Sequence, residues 1–391
     1  MGSKTKTVKF LVELSRVIVG ATFVFSGFVK AVDPLGFTYK IEDYLIELRL
    51  TEFFPLALPA AIFMVTAEFS MGIFLLLGIY RKWTVRLVFL FMLFFTPLTL
   101  WIAIANPVED CGCFGDAFVI SNWQTFYKNV VLFAGAMLLI IKWEWITPLF
   151  SKKMVPLAAG VTLLAGVLFS LHNVYRLPVL DFRPYKIGAN IPRQMFVDPA
   201  KADVMETIFI YSKDGVEKEF TEKNYPWSDS TWTFVDMKTR LVKEGEKPAI
   251  EDFAVEALYH DETTGSWNIG ADITDIILSD PSYTFLMVAY SLEKMSLKHL
   301  EQFIEVNGYA SEKGYSFYLL TSTSAEAVGE WEKQYHTGFQ FCHADERVLK
   351  TMIRSNPGLM LLKEGTVVNK WDDSRVPAKK WLVKNVTNVP M

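Results

Sequence analysis

Cysteine is scarce in this 391-residue chain, which holds only Cys111, Cys113 and Cys342. Three cysteines cannot staple so long a chain, so a disulfide scaffold is excluded. Histidine is nearly as rare, and His172, His260, His299 and His336 show no metal-ligand spacing, while His343 follows Cys342 and, as the next residue on a strand, points to the opposite face. Charged residues make up only 21% and the hydrophobic fraction is 51%, the reverse of a disordered chain. Positive charge has no excess anywhere near that of a nucleic-acid binder, since the formal net charge is −4 and the pI is about 5.9. Beyond His172 no further long apolar run occurs, and Gly, Pro and charge return.

Before His172 there are five such runs: Phe10–Val32, Pro55–Ile79, Thr84–Ala105, Asn129–Ile146 and Met154–His172. Each is near the ~20 residues needed to cross a bilayer. The spacing predicts five transmembrane helices. Residues 1–175 carry a net charge of +3 and residues 176–391 a net charge of −7. With the N-terminus inside, the inner flanks carry nine Lys or Arg (Lys4, Lys6, Lys9, Arg81, Lys82, Arg86, Lys142, Lys152, Lys153). The outer flanks carry four: Lys30, Lys40, Arg49 and Lys128. Positive charge accumulates inside, so the N-terminus is expected in the cytoplasm. Residues 173–391 are then expected outside, in the periplasm of a bacterium. Glu13, Arg16 and Lys30 interrupt the first run and no small-x-small cleavage site follows it, so it reads as a retained helix rather than a signal peptide. Trp83, Trp101, Trp123, Trp143 and Trp145 lie near the expected helix ends and fit an interfacial aromatic belt.

Between the third and fourth runs lies Asn106-Pro-Val-Glu-Asp-Cys-Gly-Cys-Phe-Gly-Asp116, on the oxidising side in this topology. Extended residues i and i+2 lie at most ~7 Å apart, just outside the usual disulfide window of about 4.4–6.8 Å. A bend at Gly112, which lacks a Cβ, brings the two sulfurs into range. So small a ring removes little unfolded-state entropy, which favours a reversible redox pair over a static disulfide. A metal is the third use, but zinc prefers four ligands at wider spacing and no His is nearby. Glu109, Asp110 and Asp116 crowd the pair and are expected to raise the thiol pKa, unless Lys128 or a helix N-terminus offsets them.

Glu68 lies near the middle of the second run, and an ionisable group at that depth needs a partner. Arg16 and Lys30 are the candidates, while Glu13 and Arg16, three apart, share a helix face and can pair with each other. The cluster either fixes helix packing or handles protons or a polar ligand. Gly20, Ser26, Gly27, Ser70 and Gly72 would allow close helix contact. In Phe37–Leu50, Ile41, Tyr44, Leu45 and Leu48 follow helical spacing, as in a helix lying along the outer membrane surface.

The run Arg16-x₃-Gly20, Phe25-Ser-Gly-Phe-Val-Lys30-Ala-Val-Asp33-Pro34, with Glu68 and Cys111-Gly-Cys-Phe-Gly115, resembles the DoxX/MauE family of bacterial membrane proteins over residues 8–146. The Cys-Gly-Cys-Phe-Gly element points to the methylamine-utilisation MauE branch. That resemblance implies maturation of periplasmic enzymes through disulfide formation or electron transfer. The wider group includes a quinol oxidase subunit, and the fusion to a large C-terminal domain resembles a form common in Bacteroidetes.

Residues 176–245 read as a connector and a small β subdomain, with Thr207–Tyr211 and Val216–Phe220 flanking a Lys-Asp-Gly hairpin turn. Residues 246–391 follow a β-α-β-α-β-α-β-β order, an α/β sandwich. A short β region begins at Lys247–Phe253. Strands are expected at Thr284–Tyr290, Ser316–Leu320 and Phe339–Cys342, and a hairpin at Leu359–Leu362 and Thr366–Asn369. Helices are expected at Leu297–Lys313, Ala325–Tyr335 and Asp345–Ile353. This order, with Ser355-Asn-Pro357-Gly before the last hairpin, resembles a thioredoxin-like domain of the TlpA/peroxiredoxin type, in which Pro357 would be the cis-proline beside the active site. Where that fold carries its Cys-x-x-Cys, this chain has Ala289-Tyr-Ser-Leu-Glu-Lys-Met295. Without a thiolate there, the domain is expected to bind a partner or cap the membrane site rather than to catalyse. Cys342 reads as an inert core cysteine, with a resolving thiol and an intermolecular partner as the other uses.

The expected function is thiol–disulfide or electron transfer at the outer surface of an inner membrane. Cys111 and Cys113 would cycle, a quinone is the candidate electron acceptor, and a periplasmic protein is the expected partner; no nucleic acid is expected. Whether the chain is an enzyme is left open. The rival reading is a non-catalytic assembly or anchoring factor whose outer domain holds partners, and a permease built around Glu68 is a third.

Overall fold

The computed structural model of the protein describes residues 2–107, 111–243 and 245–386. The N-terminal part is helical: α1 (Gly2–Val32), α2 (Pro34–Glu47), α3 (Phe54–Leu77), α4 (Arg81–Ala105), α5 (Asn122–Ile141) and α6 (Val155–Tyr175). Among the described residues, four helices (α3 to α6) are long and apolar enough to cross a membrane. The remaining expected span, α1, is 31 residues long and broken by Glu13, Arg16 and Lys30. It packs within the bundle all the same: Val12, Val19 and Phe23 share a core with Leu75, Val88, Leu132 and Ile146. On the opposite faces Phe63, Phe94, Val131 and Leu164 are exposed, as befits helices solvated by lipid.

Glycine sets the closest approach. A Cβ on Gly27 would lie 2.5 Å from the backbone nitrogen of Phe69, and one on Gly72 would lie 2.6 Å from that of Val24, so α1 and α3 meet backbone to backbone. Two helices start earlier than hydropathy predicts. The Ser121 side chain and Gln124 form a capping box, so α5 begins at Asn122 rather than Asn129; its first turn is polar and hides from an apolar count. The Asp33 carboxylate accepts from Gly36 N at 2.9 Å, with Pro34 opening α2, so this helix begins three residues before Phe37.

After a short α7 (Ile191–Met195), β1 (Val204–Lys213), β2 (Val216–Thr221) and β3 (Thr233–Lys243) form an antiparallel sheet in the order β2-β1-β3. The remaining elements are β4 (Glu256–Asp261), β5 (Ser266–Asp272), α8 (Thr274–Ser279), β6 (Tyr283–Val288), α9 (Leu300–Lys313), β7 (Ser316–Thr321) and α10 (Ala325–Tyr335). They continue through β8 (Gln340–His343), α11 (Glu346–Met352), β9 (Gly358–Lys363), β10 (Thr366–Asp372) and α12 (Lys379–Asn385). Strands β4 to β10 form one sheet in the order β10-β9-β6-β7-β8-β4-β5, with β6, β7 and β8 parallel and β9 antiparallel to β6. All six residues of β6 are buried. Side chains alternate across it: Phe285 and Met287 pack with Phe303, Val328 and Leu382, whereas Leu286 and Val288 pack with Ile277, Leu349 and Met352. The result is an α/β domain with helices on both faces of a buried sheet. The short β region expected to begin at Lys247–Phe253 starts later, at Glu256, as the β4–β5 hairpin at the sheet edge. Its strands carry Glu, His, Asp and Asn among few apolar residues, so their pattern is that of a loop.

Candidate functional site

Built from local geometry, the Cys-Gly-Cys element is a tight turn between α4 and α5. Gly112 has φ 65° and Gly115 φ 50°, both in the left-handed region where glycine carries no Cβ penalty. Gly115 N donates to Gly112 O at 3.1 Å and closes the turn. Both cysteines are free thiols, with their Sγ atoms 3.0 Å apart. The turn is pinned to α1, since Ser26 Oγ donates to the Cys113 carbonyl at 2.7 Å. Phe114 meets Phe25 edge-on at 5.4 Å, and the Lys128 ammonium lies 4.4 Å from the centre of the Phe114 ring.

Acidic neighbours are expected to raise the thiol pKa unless Lys128 offsets them, and at Cys113 Lys128 acts in that sense. Glu109 and Asp110 lie outside the described residues, and Asp116 Oδ2 is 3.7 Å from Arg354. The hydrogen bond shared with Cys111 has the largest effect. Burial opposes it, Lys128 and Lys30 reinforce it, and the Cys113 thiol falls to about 6. The same hydrogen bond and burial push Cys111 up. The shared hydrogen bond and the nearby cations thus bias the pair towards a thiolate at Cys113 with the proton on Cys111.

Below the turn, Lys30 Nζ lies 2.8 Å from Glu68 Oε2, with both residues buried. Of the two candidate partners for Glu68, Lys30 is the one that pairs. Arg16 does not; it bridges to Glu13 at 3.1 Å and donates to the Thr147 carbonyl at 3.3 Å. Sequence spacing alone could not decide this, because both cations lie on the same helix.

Above the turn sits the α/β domain. Arg354, just after α11, forks onto Asp33: Nε lies 2.9 and 3.0 Å from the two carboxylate oxygens, and Nη2 lies 2.8 Å from Oδ2. Burial works against the charged Asp33, yet the Arg354 guanidinium holds its carboxyl below the usual range. Lys350 Nζ and the Arg354 guanidinium lie 4.5 and 5.3 Å from the Tyr39 ring on α2. The peptide between Asn356 and Pro357 is cis. Asn356 Nδ2 donates to Ser291 O, and Ser296 N donates to Asn356 O, each at 2.9 Å. The cis-proline segment thus grips Ala289–Met295, the stretch without cysteine. A cavity of about 760 Å³ opens between the two parts, bordered by Gly112, Gly115, Lys30, Tyr39, Tyr290 and Lys294.

Sequence reading missed Arg354, Lys350 and Tyr39. Nothing local marks them, since the Arg354–Asp33 contact spans 321 residues. Cys342 is buried in β8 with Leu320 and Val288, and burial pushes its thiol up to about 12. His343 points instead towards Glu256, at 3.5 Å. Among the described residues no group of three or more His, Cys, Asp or Glu is placed to hold a metal ion.

Residues 8–142 match the family model described as methylamine utilisation protein MauE. The matched segment runs from α1 through the cysteine turn to the end of α5, so the membrane part of this chain is MauE-like. A second family model, a domain of unknown function (DUF8463), matches residues 205–244, the three-stranded sheet. No curated protein and no solved structure matches the chain.

Proposed function

We propose that this protein is a five-span inner-membrane thiol–disulfide exchange component that serves maturation of periplasmic proteins, with Cys113 as the attacking thiolate and Cys111 as the resolving thiol. The observation that carries this reading is the pair itself: two free sulfurs 3.0 Å apart on a glycine turn, one of them biased to thiolate. Thiolate character and a neighbouring thiol are what exchange requires. In this reading Cys113 S⁻ attacks one sulfur of a partner disulfide, and the other partner sulfur leaves as a thiolate. Cys111 passes its proton to that leaving thiolate and attacks Cys113 in the mixed disulfide, which frees the second partner sulfur as a thiolate. The thiolate and thiol of the pair become one disulfide, and one partner disulfide becomes one thiol and one thiolate. The reverse path oxidises a partner dithiol.

The positive-inside count supports a cytoplasmic N-terminus and a periplasmic outer part, with α1 as the fifth span. The MauE match supports the role in maturation. The family match over residues 8–142 supports a DoxX/MauE-type bundle, and the parallel β6-α9-β7 unit supports its fusion to a thioredoxin-like domain without a dithiol of its own. That domain caps the pair rather than replacing it. Phe37, Ile46 and Phe54 give the cavity an apolar wall, and its volume is that of ordinary small-molecule sites, so a quinone head group fits there. When bound, such a group would take up two electrons and two protons. The rival reading, a non-catalytic assembly factor, draws on the missing cysteine at Ala289–Met295 and on the docked outer domain.

To test the proposal, Cys111→Ser is expressed in cells and run on non-reducing gels. The proposal expects mixed disulfides that depend on Cys113, because the attack still occurs but resolution does not. If no adduct forms, and the Cys111→Ser, Cys113→Ser double variant supports growth as wild type does, the assembly-factor reading stands instead.

A further inference from the structure

Side chains lean towards the N-terminal end of their own helix. α1 and α3 run in opposite directions side by side, so Lys30 leans back along α1 and Glu68 leans towards it along α3. Lys30 Nζ also donates to Ser26 Oγ, one turn earlier, at 3.1 Å. Ser26 in turn donates to the Cys113 carbonyl at 2.7 Å. An unbroken line of contacts therefore joins the carboxylate inside the bundle to the cysteine turn at its surface. Lys30 is also the one residue of that line that borders the outer cavity.

A buried ion pair of this kind is weak evidence for stability alone, since a well-packed apolar pair of similar size often serves as well. Its placement has electrostatic consequences for the turn. The charged and titratable groups acting on Cys113 are Cys111, Lys128, Lys30 and Glu68; the two cations favour its thiolate and Glu68 opposes it. The charge at this site also changes during exchange. With Cys113 as thiolate, the set Cys113, Lys30, Glu68 carries one net negative charge; with a Cys111–Cys113 disulfide it carries none. In both states Lys30 keeps a counter-ion, so no cation is stranded at the edge of the hydrocarbon region.

Resting on the exchange reading above, we propose that Lys30 and Glu68 are positioning residues for the cysteine pair. Lys30 holds the turn through Ser26 and supports the Cys113 thiolate, and Glu68 balances Lys30 whenever that thiolate is consumed.

The test uses the full-length purified protein in detergent micelles and the pH profile of Cys113 reaction with an aromatic disulfide reagent. Lys30→Gln should move the midpoint up by about one pH unit, and Glu68→Gln should move it down by a similar amount, each approaching a tenfold change in thiolate at a pH well below the midpoints. Lys30→Arg should restore the wild-type midpoint. Each single variant strands one buried charge and can lose structure. The double variant Lys30→Gln, Glu68→Gln strands none, and its midpoint should lie between those of the two single variants. Opposite shifts with rescue by arginine support the proposal. It is overturned if both single variants move the midpoint the same way, or if Lys30→Gln and Ser26→Ala are both indistinguishable from wild type. The assay needs no cellular partner, so its failure is distinct from failure of the exchange reading, which the trapping of mixed disulfides decides.

Discussion

The unequal sulfurs lead to a pH dependence with a definite form. The perturbation is pH itself, read on the reaction of the native pair with a disulfide reagent that releases a coloured thiol. With its thiol at about 6, Cys113 is about 90% thiolate at pH 7, whereas an unperturbed cysteine near ~8.5 is about 3% thiolate. That is a ~30-fold gain in the reactive species. The same fall in pKa weakens the nucleophile: a Brønsted slope of about 0.4–0.5 over ~2.5 units lowers intrinsic reactivity roughly tenfold. The net rate advantage at pH 7 is thus only about two- to threefold, and the diagnostic quantity is the midpoint. The rate should rise through about pH 6 and flatten by pH 7.5. Cys111, 3.0 Å away, should then displace the first adduct, so two coloured equivalents leave per protein and no adduct remains on the pair. Lys128→Gln removes a cation that supports the thiolate and should move the midpoint up. A midpoint near that of free cysteine, unmoved by Lys128→Gln, would refute the reasoning.

Further outcomes concern the fold around the site. Arg354→Ala leaves the Asp33 carboxylate largely buried and unpaired, so it should loosen the outer domain from α2 at a cost of about 3 kcal/mol, read as faster hydrogen exchange in α2 and α11. Because the folded Asp33 carboxyl lies below its unfolded value, its contribution is present above ~3.9 and is lost as pH falls through the folded value. Probe distances between α2 and α11 should accordingly broaden in acid and stay constant from pH 5 to 7. Gly27→Val drives a side chain into the Phe69 backbone, which cannot rotate away, and should destabilise the bundle by at least about 2 kcal/mol in detergent unfolding. Cys342→Ala should leave the two-equivalent stoichiometry intact, because that thiol is buried and protonated.

How much of this was legible in the sequence follows the range of the interactions involved. The Cys-Gly-Cys turn is local, and Gly112 signals its bend directly. Helix α10 has the expected limits, Ala325–Tyr335, because Val328 and Trp331 keep a helical period and Ser324 caps it. The start of α5 was missed because a capping box is polar. Strand β3 was missed because all eleven of its residues are exposed, so no apolar alternation marks it. The choice of Lys30 over Arg16 needed the depth at which α1 and α3 cross, which Gly27 and Gly72 set. The Arg354–Asp33 fork joins two distant parts of the chain, and composition carries no trace of it. At Cys113 the offset by Lys128 is legible in the sequence, whereas the support from Lys30 depends on how α1 packs below the turn, and Asp116 lies 3.7 Å from Arg354.

The central claim is that the pair changes redox state in the cell. Cells are quenched in acid, and free thiols are tagged with a mass-shifting alkylating reagent in a Cys342→Ala background. The account predicts two populations, with both cysteines tagged or neither, whose ratio shifts when cells are treated with a reductant or deprived of respiratory oxidant. A pair held in one state under every condition would contradict it.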